Sequence, residues 1–161
     1  MATPGIITNE TVSIIEATPP VDANDGAQTG NMISMKGAAH CTLVLMVGTC
    51  GAASAVTLEQ ATDVTDSAAS SKALAFSWMW TNDAAPTAAA LTKTAVTANT
   101  FEIDVAASMY VIEISADMLD VDNGYDCFQV KIADPGAASV TSGTYILSGT
   151  RFSGDNTPLS N

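Results

Sequence analysis

The chain holds one histidine, His40, and that residue limits the polar catalysis open to it. A Ser-His-Asp or Cys-His system needs an imidazole base. Cys41 follows His40 directly. Neighbours on a strand point to opposite faces, so the two cannot form a thiolate–imidazole couple there. His40 reads as a structural residue at a strand end. No glycine-rich phosphate loop follows a strand pattern.

The other cluster able to do chemistry is acidic. Asp117, Asp120, Asp122, Asn123 and Asp126 place five oxygen-bearing side chains within ten residues. Calcium takes roughly 6–8 oxygen ligands, so this is a candidate Ca2+ loop. Gly124 stands where a third ligand would fall, and no glutamate closes the loop. The competing reading is a solvated turn, with Gly124 at positive φ and the aspartates closing Asx turns. Glycosidase carboxylates could be drawn from the same loop, but no row of aromatics marks a sugar cleft. The expectation is no enzyme, no cofactor and no metal.

Cys41, Cys50 and Cys127 are odd in number and match no zinc spacing. They read as reduced thiols, with a Cys41–Cys50 bridge across a hairpin as the alternative. Alternation puts Trp78 and Trp80 on one face with Phe76. Core packing is one role for them, and an interface anchor at Trp80 is the other.

These residues need a scaffold, and 161 residues suffice for one domain. Five Lys and Arg against seventeen Asp and Glu give a formal charge of −12. Five scattered cations cannot build a phosphate-binding face, which argues against direct nucleic-acid contact. The same charge argues against an anionic membrane surface. No basic leader precedes an apolar run, and the longest apolar stretch, 43–47, is too short to span a bilayer. Synthesis and assembly in a cytoplasm are expected.

The pattern along the chain is β-like. Residues 1–30, with Pro4, Pro19 and Pro20, read as an extended arm that one strand at 11–15 could interrupt. Its isoleucines Ile6, Ile7, Ile14 and Ile15 are candidates for docking on a neighbour. Residues 40–47 read as a strand buried on both faces, joined by a hairpin to an alternating strand at 55–60. Residues 62–74 read as a crossover with one or two helical turns capped by Asp63 or Thr65. Residues 32–35 read as a short candidate strand, and further strands follow at 74–80, 100–105, 109–114, 126–132 and 144–152. About eight strands spaced by turn signals predict an all-β domain over 31–152, a β-sandwich or jelly roll, with a polar tail at 153–161.

Several of these segments resemble a family of small virion-associated proteins of tailed bacteriophages, encoded near the capsid genes. They are 56–63 (Val-Thr-Leu-Glu-Gln-Ala-Thr-Asp), 72–76, 110–120, 123–126 and the ending 145–152. The resemblance covers roughly residues 30 to 153, without the arm and the Ala-rich 84–98 stretch. It implies a capsid decoration, or cement, protein. Such a protein binds the major capsid protein on the head exterior, often as a homotrimer. Two other roles are weighed beside it: a tail or head–tail component such as a tube or fibre domain, and a carbohydrate-binding sandwich displayed on the virion.

Overall fold

Residues 108–115 read Ser-Met-Tyr-Val-Ile-Glu-Ile-Ser, with apolar bulk at every second position, and they form a central strand of the protein. The computed structural model describes residues 12–22, 26–65, 71–83 and 90–149. Within them twelve strands follow in order: β1 (Ser13–Asp22), β2 (Gln28–Thr29), β3 (Ile33–Ser34), β4 (His40–Cys50), β5 (Ser54–Ala61) and β6 (Lys72–Ala73), then β7 (Trp78–Asn82), β8 (Thr92–Ala95), β9 (Thr100–Ile103), β10 (Ser108–Ser115), β11 (Cys127–Ile132) and β12 (Ser139–Ser148). Two single 3-10 turns, Ala116–Met118 and Val121–Asn123, separate β10 from β11. Among the described residues no helix is long and apolar enough to cross a membrane.

The strands make two antiparallel sheets. The front sheet runs β1-β12-β4-β10-β7-β8, and the back sheet runs β2-β11-β5-β6, with β3 also on β11 and β9 also on β5. This is the all-β sandwich that the alternation predicts. β3 lies within the 32–35 candidate; the count exceeds eight because β2 and β6 are two-residue pairings and β8 lies in an Ala- and Thr-rich stretch, none of which periodicity reveals.

The inner faces meet in one core. Leu43, Leu45 and Ile112 from the front sheet and Leu58, Phe128 and Val130 from the back sheet are fully buried. Each such side chain contributes about 1.5–3 kcal/mol by leaving water. Two aromatic contacts cross the interior: Phe101 to Tyr110 at 5.5 Å, and Phe128 to Tyr145 edge-on at 5.3 Å. The Tyr145 hydroxyl accepts the Val130 N–H at 2.9 Å. That N–H faces the gap between β2 and β3, where β11 has no strand partner.

Four expectations need correction. Residues 13–22 are not an arm: β1 pairs with β12 from Ser13–Leu147 to Asp22–Val140, so the sandwich begins before residue 31. Prolines are compatible because β1 is an edge strand, and its pairing shifts register twice around Thr18. The 40–47 and 55–60 strands form no hairpin, since β4 and β5 lie in different sheets. The Gly-bounded segment turns a corner between layers instead. β4 is buried on one face only, with Val44 and Met46 pointing outward. The 74–80 segment is not one strand: β6 belongs to the back sheet and β7 to the front, and the chain changes layer between them. The helical turns expected within 62–74 fall on residues 66–70, outside the described residues; at their start Asp63 Oδ1 accepts the Thr65 N–H at 2.7 Å. Ile6, Ile7 and the 153–161 tail lie outside the described residues.

Candidate functional site

The front sheet's outer surface is built by the same alternation that builds the core. Where Leu43, Leu45 and Val47 point in, Thr42, Val44 and Met46 point out. Register aligns these positions across strands. Ile14 lies beside Ile146 and Thr42, Val44 beside Val111 and Trp80, and Met46 beside Met109. The result is an apolar band from β1 to β7, broken by Thr144 on β12 and by Thr42 and Glu113 on β4 and β10. Met46 is 59% exposed, Ile14 55% and Trp78 46%.

The back sheet's outer surface is different. Glu59 sits between β11 and the 71–73 segment, taking Lys131 at 2.6 Å and the Ser71 hydroxyl at 2.6 Å. Partial burial pushes the Glu59 carboxyl up, but hydrogen bonds from Lys131 and Ser71, the Lys131 charge and Gln129 together hold it below the usual range. Lys72 pairs with Asp120 and lies 4.0 Å above the Tyr125 ring. Charge and hydrogen bonds are satisfied within that face. The front face carries one polar network, on its two central strands, and is otherwise more apolar.

At the β4–β10 end of the front face a polar group stands beside the band. His40 Nε2 donates to Glu113 Oε2, and Thr42 Oγ1 donates to the same oxygen at 2.8 Å. The carboxylate acceptor fixes the proton on Nε2. His40 and Glu113 are each 37% exposed. Cys41 points into the core, as the strand rule requires.

Next to Glu113 lie both tryptophans. Trp80 pairs with Val111, and Trp78 follows the same outward phase one step further along β7. Their indoles flank Lys93 of β8, whose Nζ is 4.0 Å from the Trp78 ring centre and 5.6 Å from that of Trp80. Trp78 therefore does not share a face with Phe76, which is buried. The layer change after Phe76 breaks the phase. Trp80 is half-buried on the outer face, where an interface anchor would stand.

The other predicted residues disperse. Asp120 turns to Lys72 and Asn123, whose hydrogen bonds hold its carboxyl below the usual range. Its backbone N–H is fixed by buried Gln60 at 2.8 Å. Asp122 is exposed, while Asp117 and Asp126 line a cavity of about 580 Å3 at the end of the sandwich. Gly124 caps the second 3-10 turn at φ +83°. Among the described residues, no three His, Cys, Asp or Glu side chains converge as metal ligands. The loop is held as a turn. Ile15 packs against the core, so of the four isoleucines Ile14 alone is described on the open face.

The cysteines are free. Cys41 and Cys50 lie nine residues apart on β4, roughly 30 Å at strand rise, so a bridge between them is impossible. Burial pushes the Cys41 and Cys127 thiols up to about 12. Neither is a nucleophile near neutral pH.

Sequence reasoning missed Glu113 and Lys93. Glu113 meets His40 across 73 positions of sequence, and no local signal announces such a pair. Comparison with family models, curated proteins and solved structures gave no match.

Proposed function

We propose that this chain is a structural protein of a tailed-phage virion, a decoration protein that covers the outside of the head and braces it. The observation that carries the reading is the open apolar face of the front sheet, with Met46, Ile14 and Trp78 outermost. Exposed apolar patches of this breadth mark protein-contact surfaces. At strand spacing and rise, the five strands from β1 to β7 by about six residues span roughly 19 by 20 Å, or ~400 Å2 in projection, part of it polar. A standard interface takes about 800 Å2 per partner. One such contact is modest, and copies joined as an oligomer on a repeating shell gain affinity through avidity. Binding the assembled shell and not its free subunits stabilises the shell by mass action. The family resemblance supplies the phage, the major capsid protein as partner and the trimer.

Mass spectrometry of gradient-purified particles tests this, together with immunogold labelling. The expected result is a copy number on the order of hundreds, located on heads. A few copies, or label confined to tails, would sink the decoration reading. Stripped heads should break at lower temperature and recover when the purified protein is added back.

A further inference from the structure

We propose that the notch between Trp78, Trp80 and Glu113 receives an arginine or lysine side chain from the protein surface that covers the front face. The identity of that surface rests on the decoration reading; the chemistry of the notch does not.

The notch is a cavity of about 430 Å3, bounded by the two indoles, Glu113, Phe76 and Met118. Glu113 is prepared for a further donor. Both of its donors, His40 and Thr42, converge on Oε2, and no described donor takes Oε1. A carboxylate has lone pairs on both oxygens to offer. The indoles are equally suited to a cation. Lys93 already lies over Trp78, and Trp78 still exposes 46% of its surface. A guanidinium can stack on an indole and donate to a carboxylate at once, because its plane and its N–H fork are used separately.

Charge complementarity decides the occupant. The face carries Glu16 and Glu113, while its ammonium, Lys93, is held by the rings and His40 is committed to Glu113. A second copy docked face to face would bring two acidic chains together, each at −12, with no free cation on the described face to offset them. A basic side chain set in an apolar surface matches both the band and the carboxylate.

The chain has two tryptophans, and both line the notch. Indole fluorescence therefore reports this site alone. The test titrates the full chain with N-acetyl-arginine amide and, separately, with its neutral isostere N-acetyl-citrulline amide. The expected response to arginine is saturable. It should weaken about threefold or more with citrulline, and equally in Glu113→Gln, which keeps an acceptor for His40 and Thr42. In Lys93→Met, which removes the resident cation, arginine should bind more tightly. An equal response to both probes, or no response to arginine, overturns the proposal. The second arm sediments wild type and Glu113→Gln with heads stripped of the protein. Weaker binding of the variant is expected. Equal binding overturns the notch as a docking element and leaves the decoration reading intact. Arginine titration without any head binding removes the decoration reading and leaves the basic-ligand site.

Discussion

Tyr145→Phe isolates one oxygen atom in the centre of the sandwich. Tyr145 is fully buried, and its hydroxyl accepts the Val130 N–H at 2.9 Å across the two layers. The Val130 carbonyl is taken by the Gly30 N–H at 2.8 Å. The N–H on the same side has no strand partner, because β2 and β3 pair with β11 on either side of it and leave a gap. Removing the hydroxyl keeps the ring, its edge-on contact with Phe128 and nearly all the buried area. What changes is that a buried backbone donor loses its acceptor. That costs about 1–3 kcal/mol. For a domain of this size each kcal/mol lowers Tm by about 2–4 °C, so a fall of roughly 2–12 °C is expected. Urea denaturation should show a lower midpoint with the slope unchanged, since the exposed surface on unfolding is the same. A loss under about 0.5 kcal/mol would refute the reasoning, because it would mean the N–H finds another acceptor or water.

Other outcomes follow from the same structure. Gly30→Ala should destabilise by about 1–3 kcal/mol in the same assay, because the added Cβ would sit 2.7 Å from the Val130 carbonyl oxygen, a backbone atom that cannot swing aside. A thiol reagent at mild alkaline pH should titrate Cys50 slowly in the native protein and reach Cys41 and Cys127 only on unfolding; a reaction of all three thiols in the folded state would contradict their burial. Stability should fall in acid. Glu59 and Asp120 have carboxyls held below the ordinary range in the folded state, so their contribution is full above that range and is lost as pH falls through the lower folded values. Melts from about pH 7 to pH 3 should therefore show a flatter acid limb in a Glu59→Gln, Asp120→Asn double variant, and an unchanged limb would count against the pairs.

The fold was legible where one face of a strand is buried and the other is polar. In β10 the alternation of Tyr110, Ile112 and Ile114 with Glu113 marks the strand and its inner face together. The same logic misleads in β4. An uninterrupted apolar run signals burial on two faces or one buried face backed by an open apolar one, and periodicity cannot separate them. The second case holds, and it is the one that leaves Val44 and Met46 on the open face. Around Trp78 the difficulty is phase. Leu74, Phe76, Trp78 and Trp80 keep a perfect two-residue spacing, yet the chain crosses between layers after Phe76 and the last two turn outward. Nothing local encodes that crossing, because it depends on β6 pairing with Glu59 and Gln60 while β7 pairs with β10. The acidic loop was half legible. Gly124 at positive φ followed from residue type, whereas the capture of Asp120 by Lys72, 48 positions away, did not.

The borders of the front sheet have a consequence for growth. Among the described residues its two free edges are β1, with Pro19, Pro20 and two register shifts, and β8, with Lys93 at its centre. Proline withholds the N–H that an incoming strand needs, the irregular pairing spoils a straight template, and edge lysines discourage cross-strand stacking. Along this sheet, the described edges thereby oppose the one-dimensional polymer that open β edges nucleate. Growth by adding strands to this sheet is disfavoured while its broad face stays open, so its edges and its face offer a neighbour very different contacts.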